Sequence, residues 1–183
     1  MKHLLRGLLV AGFLALTSTA YAQDFVATPI EYSERVPDEN VEASVLYQRT
    51  LDWTENRFTY KPKEVIRTDA AKGEIRVSGT VKVKTASNSG QMQERPVLFE
   101  FVFRTLPMGY EYSVGYFRVI PDSKNPSTTV PFEEFVAQLA QERHNERTHN
   151  DRRVTAQATS LASEIAMSFR SYMNSRPAAG AIE

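Results

Sequence analysis

The stretch DENVEASVLYQRTLDWTENRF, residues 38–58, decides the fold, because it predicts one amphipathic helix that needs a sheet or another helix to cover it. Its apolar and Thr side chains recur at the i, i+3, i+4 and i+7 spacing of a single helix face. They are Ala43, Leu46, Tyr47, Thr50, Leu51, Thr54 and Phe58. Asp38 is predicted to cap the first turn, where its carboxylate can accept hydrogen bonds from free backbone amides.

Five strands are predicted around this helix. The clearest is Ile75–Lys84, where apolar residues alternate strictly with polar ones, as in a strand with one buried and one wet face. The others are Phe25–Val36, Glu64–Thr68, Pro96–Thr105 and Tyr110–Ile120. Before the clearest strand, Asp69–Gly73 is predicted to be a hairpin loop, since Gly73 can take a positive φ.

Two further apolar stripes with helical spacing follow Pro131. The first contains Phe132, Phe135, Val136, Leu139 and Ala140, and the second contains Val154, Ala158, Leu161, Ala162, Ile165, Phe169 and Tyr172. The stripes fit either two helices or one long bent helix. They could cover the second face of the sheet, bind a partner or support self-association.

The element order β-α-β-β-β-β, followed by helices, predicts the α+β class. We expect an antiparallel sheet of about five strands with one helix packed on it, plus two C-terminal helices. The predicted segments are a signal peptide (1–22), an α+β domain (23–121), a connector (122–131), a helical extension (132–176) and a frayed tail (177–183).

The first 22 residues predict export. Lys2, His3 and Arg6 form a basic end, Leu8–Leu16 is an apolar run, and Ala20-Tyr21-Ala22 has the small-residue pattern of a cleavage site. A membrane span needs about 20 apolar residues, so this run indicates a signal peptide rather than an anchor. We expect cleavage after Ala22, a periplasmic or secreted protein, and no membrane-spanning segment after cleavage.

Charge and composition exclude some classes of partner. The chain has 22 Lys and Arg against 22 Asp and Glu. Cleavage removes two basic residues, Lys2 and Arg6, and leaves 20 basic against 22 acidic. This balance disfavours a nucleic-acid partner. The sequence has no Cys, so neither a disulfide nor lipidation at a cysteine is possible.

Several short stretches resemble one protein family. They are Ile30–Pro37, Leu46-Tyr47, Leu51-Asp52-Trp53, Val65-Ile66, Gly73-Glu74-Ile75 with Gly79, and Gly109–Tyr112. Over about Ile30–Ile120 the chain thereby resembles a bacterial secreted domain-of-unknown-function family with a TBP-like fold. The resemblance implies a curved antiparallel sheet with a helix packed on it, and it supplies no catalytic residue. It does not imply DNA binding, because fold alone does not decide function.

Candidate metal and catalytic residues are few. His144, Glu146 and His149 form one cluster, but the two His are five residues apart rather than the four that a helical zinc pair needs. A solvated polar face is the favoured interpretation, with no metal and no cofactor. Glu100 could be a buried carboxylate, and Arg104, four residues on and on the same strand face, is its expected partner. We predict no catalytic residue.

The aromatic residues are the most informative candidates for a binding surface. Most are expected to lie in the core. Strand alternation places Tyr110, Tyr112, Val114 and Tyr116 on one face, and an exposed row of Tyr is typical of contact sites. The predicted ligand or partner surface comprises Tyr47, Trp53, Phe101, Tyr110, Tyr112 and Tyr116.

These patterns favour an exported, non-enzymatic protein of the bacterial cell envelope that binds a small molecule or a protein partner. A hydrolytic enzyme whose site has no recognisable motif is one alternative. A structural component of the envelope is another. A pocket that contains Glu100 beside a charged or hydroxyl group would favour the enzyme, and an apolar patch on the C-terminal helices would favour the interaction protein.

Overall fold

The structure, a computed structural model, describes residues 28–122, 124–142 and 149–175. The predicted signal peptide and frayed tail lie outside these ranges, as do His144 and Glu146. Nine elements follow in chain order. They are β1 Tyr32–Pro37, α1 Ala43–Asn56, β2 Glu64–Asp69, β3 Glu74–Ala86, β4 Met92–Leu106, β5 Gly109–Val119, β6 Val130–Pro131, α2 Phe132–Gln141 and α3 Asn150–Asn174.

The strands form one open antiparallel sheet in the order β1-β5-β4-β3-β2, and the two-residue strand β6 pairs with β5. This confirms the predicted α+β class and the β-α-β-β-β-β order. The strict alternation of β3 also holds, since Ile75, Val77, Val81 and Val83 are buried. Gly73 takes φ +62° in the β2–β3 hairpin, as its position predicted.

All three helices pack on the same face of the sheet. Trp53 of α1 and Phe169 of α3 lie with their ring centroids 5.1 Å apart, and both contact Phe101 of β4. Phe132 of α2 packs against Phe117 of β5 at 6.1 Å. One core therefore joins α1, α2, α3 and the central strands. Of the alternatives for the C-terminal helices, coverage of the second sheet face is the one that this packing contradicts.

The stripes after Pro131 belong to α2 and α3, which are separate helices in the structure. Val154, Ala158, Ile165 and Phe169 of α3 are fully buried against this protein's own sheet. These residues belong to the apolar stripe that was a candidate for self-association, and in the structure they face the core. Within the described ranges, no helix has the length and apolarity to cross a membrane.

Helix α1 begins later than predicted. Its first residue is Ala43, and Glu42 rather than Asp38 occupies the N-cap position, without a side-chain cap. The backbone amide of Asp38 instead donates to the carbonyl of Met108 at 3.1 Å. Residues just after β1 are thereby tied to the β4–β5 turn, and the chain needs several more residues to reach the helix.

A β-bulge in β5 changes which residues face the core. Glu100 of β4 pairs with Gly115, but Leu98 pairs with Arg118, so Tyr116 and Phe117 together oppose one residue of β4. Tyr112 and Val114 point inward before the bulge, and Phe117 and Val119 point inward after it. The bulge therefore turns Tyr116 away from the core, as bulges commonly re-aim a side chain.

Candidate functional site

A groove of about 750 Å³ runs along β5 on the sheet face that the helices leave uncovered. This volume falls within the range of ligand-binding clefts, roughly 300–1,000 Å³. One end is lined by Arg35 and Arg104, and the other by Tyr116 and Pro131. Strand order and register therefore position the residues at both ends.

The floor of the groove consists of short side chains from three neighbouring strands. Ser33 of β1 pairs with Ser113 of β5, which in turn pairs with Val102 of β4. Ser33 is exposed, and Ser113 and Val102 are half-buried. The longer side chains of Arg35, Glu111 and Arg104 lie beside this row of short side chains, and the difference in length forms the groove.

Tyr116 presents an exposed aromatic ring at the groove, with 68% of its surface accessible. Its backbone has φ +54°, the left-handed region that side chains other than Gly and Asn rarely adopt. Within the described part of the chain, its hydroxyl forms no hydrogen bond and its ring contacts no other ring. The fold thus presents an unpartnered aromatic ring from a strained position.

A notch in the sheet edge surrounds Tyr116. The β1–β5 ladder ends at Tyr32 and Val114, and the β5–β6 ladder begins at Arg118 and Pro131. Among the described strands, none pairs with residues 115–117 on this edge. Gly115 and Phe117 are buried, and Glu31 and the Ile30 carbonyl lie against Gly115, so Tyr116 is the exposed residue of the notch.

A row of alternating charges forms the wall at the opposite end. Arg35, Glu111, Arg104 and Glu74 are consecutive cross-strand neighbours on β1, β5, β4 and β3. Arg104 contacts Glu111 at 3.2 Å and Glu74 at 3.8 Å. Arg35 makes no ion pair or hydrogen bond with any described residue, so its guanidinium is the cation that a ligand could use.

Glu100 pairs with Arg76 rather than with the predicted Arg104. The Nη1 atom of Arg76 lies 3.5 Å from Oε2 of Glu100, and both side chains are partly exposed. Arg104 is engaged by Glu111 and Glu74, which are its direct cross-strand neighbours. Prediction from sequence spacing within one strand missed these neighbours, because the contacts that pair charges in a sheet run between strands.

Three charged groups lie near Tyr116. Glu31 and Glu133 form no ion pair and no hydrogen bond within the described ranges, and both line the groove. Arg118 donates from Nε to the hydroxyl of Thr129 at 2.7 Å and from Nη2 to the Thr129 carbonyl at 3.1 Å. These bonds fix the Arg118 guanidinium beside the segment that leads into β6, and they leave two carboxylates without partners.

Five of the six residues predicted for the ligand surface lie in the core. Tyr47, Trp53, Phe101, Tyr110 and Tyr112 are at most 6% exposed. The predicted exposed row of Tyr is therefore wrong at Tyr110 and Tyr112, and Tyr116 is the member that reaches solvent. The bulge explains the difference, because it breaks the alternation between Val114 and Tyr116.

Tyr112 ends instead in a polar network at the sheet edge. Its hydroxyl donates to Oε2 of Glu34 at 2.5 Å, and Nε of Arg170 lies 3.2 Å from Oε1 of the same carboxylate. Burial and the hydrogen bond to Glu34 raise the pKa of Tyr112 well above its ordinary value. The network joins β1, β5 and α3, and its geometry indicates a structural role.

Sequence reasoning missed most of the groove residues, among them Arg35, Glu31 and Glu133. One signal was present: inward-facing apolar residues occupy even positions up to Val114 and odd positions from Phe117. Such a change of parity marks a bulge. Within the described ranges, no three His, Asp or Glu side chains are grouped as a metal site would require.

Comparison with known proteins agrees with this fold. Residues 32–119 match the family model for a domain of unknown function (DUF4468) with TBP-like fold. A DUF4468 family protein from Bacteroides ovatus has a similar crystal structure, with a TM-score of 0.57 and 15% identity over 81% of this chain and 90% of that chain. A TBP-like protein from Parabacteroides distasonis gives 0.52 and 17% over 81% and 95%.

No curated protein matches the chain at a significant level. At these identities the two solved structures share the fold and carry no functional assignment. Residues 32–119 are therefore similar to the DUF4468 family of domains of unknown function with a TBP-like fold, in sequence pattern and in fold.

Proposed function

We propose that this protein is an exported binding protein that holds an extended peptide segment of a partner in the groove along β5. The observation that carries the proposal is Tyr116, whose ring is 68% exposed and whose backbone has φ +54°. A left-handed backbone costs about 1 kcal/mol at a residue other than Gly. Strain of this kind is typical of ligand-binding positions, where a bound group can offset it.

The dimensions of the groove favour an extended chain as the occupant. Arg35 pairs with Glu111, and Tyr116 lies five residues further along β5. At about 3.3 Å per residue, the two ends are roughly 16 Å apart. A peptide of about five extended residues spans this distance, whereas a compact small molecule reaches one end only.

The charges of the groove also fit a peptide. Arg35 lacks a partner at one end, and Glu31 and Glu133 lack partners at the other, all judged among the described residues. The low row of Ser33, Ser113 and Val102 leaves room for a backbone between these ends. Interfaces commonly combine an aromatic anchor with polar groups at the rim, and Tyr116 supplies such an anchor.

The proposal can be tested by phage display, in which a library of random heptapeptides is selected for binding to the purified protein. Tyr116→Gly removes the ring and relieves the backbone, so this variant should stay folded. Met167→Ala is the matched control, because Met167 is 64% exposed on α3 and does not line the groove. We expect peptides enriched on the wild type and on Met167→Ala, and lost on Tyr116→Gly. Enrichment that is equal on all three proteins would overturn the proposal.

Export has a separate test. The basic end, apolar run and small-residue pattern of residues 1–22 support a cleaved signal peptide. Fractionation of the bacterial host followed by intact-mass measurement should find the protein outside the cytoplasm with Gln23 as its first residue. An uncleaved protein in the cytoplasm would contradict the export part of the proposal.

A further inference from the structure

The two ends of the groove differ in the charge that they offer to a ligand. Glu31 is exposed and Glu133 half-buried beside Tyr116, and neither has an ion-pair or hydrogen-bond partner in the described structure. At the other end, Glu111 and Glu74 are balanced by Arg104 and by Arg67, which lies 3.8 Å from Glu74, while Arg35 has no ion-pair partner among the described residues. The groove is therefore acidic at the Tyr116 end and basic at the Arg35 end.

We infer that the Tyr116 end of the groove binds a cationic group of the peptide, a Lys or Arg side chain, while Arg35 binds a carboxylate about five residues away. This inference rests on the proposed peptide-binding function and adds the charge pattern of the peptide. A cation between two carboxylates gains Coulomb attraction from both. The exposed Tyr ring adds a cation–π contact, which aromatic faces make with ammonium and guanidinium groups.

The backbone places the two acids beside the ring. A Cβ atom at Gly115 would lie 3.3 Å from Cγ of Glu31, so Glu31 lies against the residue that precedes Tyr116. Glu133 lies in the first turn of α2, two residues after Pro131, which pairs with Arg118. Glu31 thus lies at the β1 side of the notch and Glu133 at its β6 side, and both line the groove with Tyr116.

Arg118 is the positively charged residue near Tyr116 that could neutralise Glu31 or Glu133. Its two hydrogen bonds to Thr129 hold the guanidinium beside the segment before β6. Since Arg118 forms no ion pair with Glu31 or Glu133 in the structure, it does not neutralise them directly. Two carboxylates against one tethered guanidinium leave the Tyr116 end with a net negative charge.

The test sequences the heptapeptides that the wild type selects and repeats the selection on two charge variants. Glu31→Gln with Glu133→Gln removes the proposed cation site, and Arg35→Gln removes the proposed carboxylate site. We expect wild-type selections in which Lys or Arg is enriched about fivefold at one position and Asp or Glu is enriched about four to six residues away. The Glu variant should lose the first preference, and Arg35→Gln should lose the second.

The outcomes separate this inference from the proposed function. Peptides that bind the wild type in a Tyr116-dependent way but show no preference for Lys or Arg overturn the charge pattern alone. A preference for Lys or Arg that persists unchanged in the Glu variant overturns the assignment of its site. If no peptide is enriched on the wild type above Tyr116→Gly, both the charge pattern and the peptide-binding function are wrong.

Discussion

The hydroxyl of Tyr112 lies 2.5 Å from Oε2 of Glu34, its direct cross-strand neighbour on β1. Arg170 approaches the other oxygen of the same carboxylate from α3, at 3.2 Å. The edge strand β1 and the last helix are thereby attached to the same polar group. The network is one of the contacts between β1 and α3.

Replacement of Tyr112 by Phe should lower the free energy of unfolding by about 1–3 kcal/mol, because a hydrogen bond to a charged and partly buried group is lost. Urea denaturation at neutral pH measures the change. Tyr32→Phe is the matched control, since the Tyr32 hydroxyl lies 3.4 Å from the same Glu34 oxygen and should contribute less. Equal losses in the two variants would contradict the assignment.

The same residue predicts how stability depends on alkaline pH. The pKa of Tyr112 is raised by burial and then by the hydrogen bond to Glu34, whereas an unfolded Tyr loses its proton at about pH 10. Above that pH the folded state holds a proton that the unfolded state has lost, so the free energy of unfolding falls as pH rises. The pKa values of Tyr60 and Tyr172 are also raised. Tyr112→Phe should therefore show a shallower decline than the wild type, and identical slopes would contradict the prediction.

Gly79→Ala should destabilise the protein by about 1–3 kcal/mol. A Cβ atom there would lie 2.8 Å from Cε1 of Phe58 and 2.8 Å from Cβ of Tyr60. The Phe58 ring cannot retreat freely, because it packs against Trp53 and Phe99. Urea denaturation measures the effect.

Gly115→Ala provides the control for this prediction. The nearest atom to a Cβ at Gly115 is Cγ of Glu31 at 3.3 Å, and that exposed side chain can move. We expect a smaller loss than at Gly79, because the atom nearest to the added Cβ belongs to a side chain that can move rather than to a packed ring. A loss at Gly115 equal to that at Gly79 would show that backbone effects, rather than the Phe58 contact, dominate.

Tyr116→Gly should raise the free energy of unfolding by about 1 kcal/mol, because Gly adopts a positive φ without steric cost. Tyr116→Ala keeps the strained backbone and should give no such gain. Thermal and urea denaturation of the three proteins would measure this. A variant that gains stability while it loses peptide binding would show that Tyr116 is retained for recognition. Loss of stability in Tyr116→Gly would show instead that the ring supports the fold.

Phe169→Ala should cost about 3–5 kcal/mol, as expected for an aromatic residue removed from a packed core. The Phe169 ring lies 4.8 Å from Tyr112 and 4.9 Å from Phe101, and it also contacts Trp53 of α1. Met167→Ala, two residues away on the exposed side of α3, should change stability by no more than about 0.5 kcal/mol. A small loss at Phe169 would mean that α3 is peripheral to the core.

Prediction from sequence succeeded where one local pattern decided the structure. The alternation of β3 and the helical stripe of α1 each reflect burial of one face, and Gly73 takes its φ from the turn that it occupies. Prediction failed where the contacts of a side chain depend on the neighbouring strands. The partner of Glu100 and the orientation of Tyr116 both depend on register across strands, which a single sequence does not state.

The boundary of the first helix shows a related difference. Asp38 has the side chain of a good N-cap, but its backbone amide binds Met108, which lies far along the chain. This backbone bond ties Asp38 to the β4–β5 turn, and the N-cap position falls at Glu42 instead. The binding surface was similarly hard to predict, because five of its six candidate aromatic residues are buried in the hydrophobic core.

The contacts of α3 with strands made much earlier constrain how the chain folds. Arg170 meets Glu34 and Arg49 meets the carbonyl of Tyr172, so the ends of the described chain close on each other. During synthesis, β1 to β5 are complete before α3 exists, and the apolar sheet face that Phe169 covers then stays open to water. Contacts this distant in sequence give a high contact order and slow folding. An intermediate that lacks α3 would expose aggregation-prone surface, so a chaperone that shields it until the last helix docks would raise the yield of folded protein.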